Sequence, residues 1–334
     1  MNGKILRRTE KTITILLLGS LLVLISGCGE EAGNSVSPPQ VETPPASDLP
    51  TTPEEIISHF HRNDFAYIYE HATKSFQQQL PYQSLAELGK AFNEGVKEYR
   101  LETKFKTKDG WKYIWIDDSK RKSVTAVLNE KNRLEALLIT PLETYSANDG
   151  IYSKTIFSLP FEGVWFVLSG GTDEVVNYHY KSEQERYAVD FVQMEEGVEY
   201  EGTGATNEEY YCYGEPVYAP AEGSVVAVEE DVEENQPGIP NLDDPFGNYV
   251  ILKHGSGEYS LLSQLQKGSV AVEIGDKVSR GDLLGYVGNS GDSMEPHLHF
   301  QVMDSPHLDE MKSINIRFQG YGQLVQGMWV ENKG

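Results

Sequence analysis

Apolar residues recur at three- and four-residue spacing after Pro53: Ile56, Ile57 and Phe60, then Leu85, Leu88, Phe92 and Val96. This is the stripe an amphipathic helix buries, so the spacing predicts helices here. The period then shortens. Residues 111–116, 123–128 and 134–139 alternate or run apolar, which predicts strands, with Asn129-Glu130-Lys131-Asn132 as a turn between the last two. Residues 146–150, Ser-Ala-Asn-Asp-Gly, make a turn-forming break, and beyond them short apolar runs are separated by glycine, the texture of an all-β domain. Two phrases in that second part resemble each other: Gly214-Glu-Pro-Val217 leading to Gly223, and Gly275-Asp-Lys-Val278 leading to Gly281 and Gly285. A weak internal duplication of strand and turn accounts for them. The pattern therefore predicts an α+β N-terminal domain of helices plus a curved antiparallel sheet (residues 53–145), followed by a mainly-β antiparallel domain (residues 151–334).

The first thirty residues differ in kind. Lys4, Arg7, Arg8 and Lys11 precede an apolar run over residues 13–25 that ends in Ser26-Gly27-Cys28, the layout of a secretion signal. The run is too short for a comfortable membrane span. Ile25-Ser26-Gly27-Cys28 resembles the lipobox of bacterial lipoproteins, which implies removal of residues 1–27, a lipid on Cys28 and anchoring on the outer face of the cytoplasmic membrane. Residues 28–52 then read as a tether rich in Pro, Ser, Thr and Glu, able to reach on the order of 70 Å when extended.

With 39% hydrophobic and 24% charged residues, the chain is expected to fold rather than stay disordered. Its formal net charge is −23, and the leader is basic, so the chain beyond the leader is more acidic still; nucleic acid is excluded as an expected partner. The other cysteine, Cys212, has no partner for an intramolecular disulfide in a lipidated chain and reads as a small buried hydrophobe. The acidic segment 229–244, with Pro237, Gly238 and Pro240, reads as a long surface loop, either bordering a groove or simply solvated.

The strongest chemical signal is Glu295-Pro296-His297-Leu298-His299-Phe300, entering a strand through Gln301-Val302-Met303. Alternation puts His297 and His299 on one face, about 7 Å apart, where two imidazoles can act on one metal-bound water. Ahead of it, in order, stand Gly214-x-Pro-Val217-x-Ala219-Pro220, Gly247-Asn248-Tyr249-Val250 and Gly275-Asp276-x-Val278. In that order the motifs resemble the lysostaphin-type (LytM-like) zinc metallopeptidases, built on a duplicated hybrid motif. The first domain more loosely resembles a scytalone-dehydratase-like cone; its His59, His61 and His71 are assigned no chemistry.

The peptidase resemblance implies zinc held by a His and an Asp in the pattern His-x-x-x-Asp plus the second His of His-x-His. Carried over, Asp190 and His299 are ligands and His297 is a general base or transition-state stabiliser. Three protein ligands with an open fourth position is what a catalytic zinc requires. This chain departs from the pattern twice. Arg186 stands where the ligand His belongs, and it cannot bind zinc. The nearest histidine is His179, which would share a face with Asp190 if residues 175–180 and 186–192 paired as a hairpin. Gln264, in Ser263-Gln264-Leu265, stands where a further His is usual; it could donate a hydrogen bond in the transition state but cannot shuttle a proton. His254 falls at a position expected to be structural, and His307 has no supporting pattern.

These residues support two readings of function. One is a zinc endopeptidase cutting peptidoglycan peptides in the cell envelope. The other is a catalytically degenerate module of the same fold that binds wall peptides or activates another cell-wall hydrolase, which Arg186 and Gln264 favour. A third, phosphoryl transfer through a strand histidine as in sugar-phosphotransferase carriers, conflicts with export.

Overall fold

The computed structural model describes residues 44, 49–145 and 148–332. The leader, Cys28 and most of the tether lie outside these residues. The chain divides into two compact units, one of residues up to Arg100 with Trp115–Pro141, the other of Leu101–Ile114 with Leu142–Gly334. Among the described residues no helix is long and apolar enough to cross a membrane.

The helices are α1 (Pro53–His61), α2 (Phe65–Glu70), α3 (Lys74–Gln79) and α4 (Tyr82–Phe92). Thr52 starts α1 with a capping box: its side chain accepts from Glu55 N, and the Glu55 carboxylate accepts from Thr52 N at 2.9 Å. Ile56 and Phe60, four apart, are fully buried. In α4, Gly89 is required by packing, because a Cβ there would lie 2.3 Å from the Phe65 ring. Strands β1 (Tyr99–Thr107), β2 (Gly110–Asp117), β3 (Lys122–Leu128) and β4 (Leu134–Pro141) form one sheet in sequence order. β2, β3 and β4 fall where the apolar runs predict them. β1, exposed or half-buried at every position but Phe105, carries no such signal.

The second unit is mainly β and antiparallel. Its strands are β5 (Gly163–Ser169), β6 (Val189–Val192), β7 (Pro216–Tyr218), β8 (Gly223–Glu229), β9 (Asn248–Lys253), β10 (Tyr259–Leu265), β11 (Lys277–Val278), β12 (Leu283–Tyr286), β13 (Leu298–Met303), β14 (Ser313–Ile314) and β15 (Trp329–Asn332). The main sheet runs β11-β8-β9-β10-β13-β6-β5-β15, with β14 beside β13. The two similar phrases interlock. β7 of the first pairs with β12 of the second, and β8 pairs with β11, so each opening strand meets the other's closing strand.

Period-two alternation gives the main sheet two faces. From β13, Leu298, Phe300 and Val302 enter the large core, where Phe300 meets Phe157 and Phe318 with ring centroids 5.8 Å away in each case. Trp165, Phe161 and Phe191 continue that aromatic packing. His299, Gln301 and Met303 face the other way. On this second face the strand register aligns one row across five strands: Ser169, Asp190, His299, Ser263 and Tyr249. Apolar Ile251, Leu261, Met303 and Met311 close the face on one side.

Candidate metal centre

Asp190 lies on β6 directly opposite His299 on β13, and both are almost completely buried. His299 Nδ1 is 2.9 Å from Asp190 Oδ1, and His179 Nε2 is 2.8 Å from Asp190 Oδ2. The ligand-capable atoms of His179, Asp190 and His299 all fall within 4.8 Å of one another, and among the described residues no other group of His, Cys, Asp or Glu does so. His297, two residues before His299, brings Nε2 to 3.8 Å from Asp190 Oδ2.

His179 reaches the cluster by a route other than the hairpin expected from sequence. β6 already has β13 on one side and β5 on the other, so no strand of residues 175–180 can pair with it. The residues Tyr178–Lys181 form instead a single 3-10 turn. Asn177 builds this turn. Its buried side chain accepts from His179 N and from Ser169 Oγ, while its Nδ2 lies 3.0 Å from Gly171 O and 3.2 Å from Arg186 O and Ala188 O. Arg186 Nε donates to Tyr180 O at 3.0 Å, and its guanidinium lies over the Tyr180 ring.

Hydrogen bonds on the far side of the ring show which nitrogen of His297 and of His299 faces the cluster. His297 Nδ1 lies 2.8 Å from Glu295 O, an acceptor only, so Nδ1 carries the proton and Nε2 presents a lone pair toward Asp190 and its partners. His299 Nε2 faces Gln301 Oε1 at 3.1 Å, while the Gln301 amide nitrogen lies by Gln184 O and the sulfur of Met311. Gln301 thus keeps a proton on Nε2, so Nδ1, which bonds Asp190 Oδ1 in this structure, is the nitrogen a metal would take, as with a partner behind a ligating histidine.

Charge obeys the same geometry. Burial would raise the Asp190 carboxyl, but the charges of His179 and His297 and hydrogen bonds from His179 and His299 outweigh it and hold it well below the usual carboxylate range. Burial keeps His297 below the ordinary imidazole value, with Asp190 opposing. For His299 burial pulls down as well, but the hydrogen bond to and charge of Asp190 prevail and lift it.

Two nitrogens and a carboxylate are the donor set of a catalytic zinc, which needs donor atoms roughly 3.3 Å apart around a tetrahedral ion. The cluster fits. Tyr178 is assigned no role from the sequence: the residue is 57% exposed, yet its hydroxyl donates to Asp190 Oδ2. Its place beside His179 was the one available signal. Gln264 sits in a bulge of β10 with φ of +63°, next to Ser263, which pairs with His299. Its Nε2 donates to Asp292 O at 3.4 Å and its buried Oε1 has no partner. His254 bonds Glu222 O and Ser260 Oγ away from the cluster, and Cys212, pushed up to about 12 by burial, bonds Pro296 O. The acidic segment is stapled down: Asn235 bonds Asn289 O, Gly291 O and Ser293 O, fixing the stretch that leads into His297.

Burial, with the charge of Glu199 adding to it, pushes Glu295 up to about 7. Between about 4.5 and about 7 the folded chain keeps a proton that the unfolded chain has lost, so stability falls as pH rises through that window and is flat above it. Glu295→Gln is therefore expected to stabilise the chain at pH 8 by on the order of 1–3 kcal/mol and to do little at pH 4. Urea melts at the two pH values measure this; an equal effect at both would refute it.

Residues 208–314 match the family model for peptidase family M23. The match takes in His297 and His299 and begins beyond His179 and Asp190. Over 90 residues the chain is 36% identical to the peptidoglycan DD-endopeptidase ShyA of Vibrio cholerae, covering 27% of this chain and 18% of that protein. It is 30% identical over 118 residues to the cell division protein DipM of Caulobacter vibrioides, covering 34% and 17%. The chain thus spans less than a fifth of the length of these two relatives. Among solved structures it resembles the catalytic domain of the antimicrobial peptidase lysostaphin from Staphylococcus simulans, with 21% identity, a TM-score of 0.25 and coverage of 51% of this chain and 95% of that one.

Proposed function

We propose that the second unit is a zinc endopeptidase that cuts peptide links of peptidoglycan outside the cytoplasmic membrane, where the lipid on Cys28 would hold it. The observation that carries this reading is the convergence of His179, Asp190 and His299 within 4.8 Å with the free Nε2 of His297 beside them. The match to peptidase family M23 and the similarity to a peptidoglycan DD-endopeptidase supply the substrate class.

His179 Nε2, Asp190 and His299 Nδ1 would hold the ion, and Gln301 fixes the nitrogen His299 offers. Zinc bound there supplies Lewis-acid polarisation of an amide carbonyl and a more acidic water. His297 Nε2 accepts the proton of the attacking water and passes it to the departing amine, while Glu295 O keeps Nδ1 protonated throughout. The same buried face excludes bulk water from behind the reacting groups.

Digestion of purified muropeptides, with products identified by mass spectrometry, tests the reading. The unaltered chain is expected to cut them and to stop with a chelator, and His297→Ala is expected to lose at least a hundredfold in rate while keeping one zinc per chain. The degenerate-module reading is favoured by Arg186 and by Gln264, which cannot shuttle a proton. Muropeptide binding without any cleavage by the zinc-loaded chain would decide for it.

A further inference from the structure

Arg186 is the residue by which this chain departs from the His-x-x-x-Asp pattern, and its side chain contacts the turn that delivers the substitute histidine. Nε donates to Tyr180 O, the carbonyl next to His179, at 3.0 Å. The guanidinium carbon lies 5.8 Å from the centroid of the Tyr180 ring, within the range of a cation–π contact. The Arg186 carbonyl accepts from Asn177 Nδ2, the side chain that caps the turn. The far end of Tyr180 is tied as well, since its hydroxyl donates to Asp149 Oδ2 at 2.8 Å, and Asp149 Oδ1 accepts from Tyr187, the neighbour of Arg186.

We infer that Arg186 is a positioning residue for His179: the side chain that replaces the family's ligand braces the turn that supplies another. The inference rests on the zinc-site reading. A lone 3-10 turn of four residues has little stability of its own, because its hydrogen bonds are few and poorly aligned. Its two internal bonds here, Tyr180 N to Asn177 O at 3.1 Å and Ser182 N to His179 O at 2.9 Å, do not by themselves set the direction in which the turn offers the imidazole, so a hold on Tyr180 from outside the turn helps to fix it. Arg186 does this at the backbone and at the ring together. Lysine could reach the carbonyl as a point donor but lacks the planar group that covers the ring.

The test compares Arg186→Met and Arg186→Lys with the unaltered full chain in two measurements. Without metal, hydrogen exchange of the Tyr180 and Ser182 amides is expected to quicken at least tenfold in Arg186→Met, with β13 amides unchanged. With metal, zinc affinity by chelator competition is expected to fall about 10- to 100-fold, the usual effect of removing a partner behind a ligand, and Arg186→Lys is expected to recover part of it. Equal thermal midpoints without metal separate this from general loss of fold. Turn amides that exchange as before, or zinc affinity unmoved in Arg186→Met, would overturn the inference while leaving the zinc reading intact. Failure of the unaltered chain to bind zinc would overturn both.

Discussion

Asp190→Ala is expected to lose zinc altogether, from one ion per chain to none by elemental analysis after dialysis, and muropeptide cleavage with it. Asp190 is the hub: His179, His299 and Tyr178 all bond its two oxygens, and His297 lies 3.8 Å away. Removing it takes one ligand and the anion that organises the others. The metal-free variant carries a second expectation. His299 now stands above the ordinary imidazole value because Asp190 leads the groups that outweigh burial; without the carboxylate only Glu185 and Gln301 remain against burial, and the value should fall, by NMR titration. Retention of stoichiometric zinc, or a His299 titration that does not move, would refute the assignment of Asp190 as hub.

The second large effect concerns the strand that carries both histidines. Phe300→Ala should cost about 3–5 kcal/mol of unfolding free energy, as expected for truncating a fully buried aromatic side chain. Phe300 is wholly buried between Phe157 and Phe318 on the face of β13 opposite His299. Its loss leaves a cavity directly behind the site, so zinc affinity should weaken as well. Urea unfolding with and without zinc measures both. A loss under about 1 kcal/mol would mean that the core closes over the gap and does not anchor the strand.

The sequence and the structure agree where a side chain's period sets its direction. His297 and His299 share a face because strands alternate, and Gln301, two residues further, could have been read onto that face by the same rule. β2, β3 and β4 were legible for the same reason. His179 was picked out, but its path was not. The hairpin expectation failed because local sequence does not say that β5, nearly twenty residues back, takes the free edge of β6. A turn held by Asn177 leaves no periodic trace. Gln264 shows a further limit, for nothing in its residue type announces the bulge of β10 in which it sits or its bond to the carbonyl of Asp292. The Tyr178 hydroxyl on Asp190 depends on the same unpatterned turn.

The three candidate ligands are not equally fixed. Asp190 and His299 sit on β6 and β13, interior strands of the main sheet with neighbours on both sides, so they separate only when the sheet itself comes apart. His179 is held by a handful of hydrogen bonds around one short turn. Openings of that size occur far more often than global unfolding. The site is thus a rigid pair with a hinged third member, and equilibrium and kinetics part company in it. How tightly an ion is held depends on all three groups, whereas how quickly one ion can be exchanged for another is governed by the turn alone.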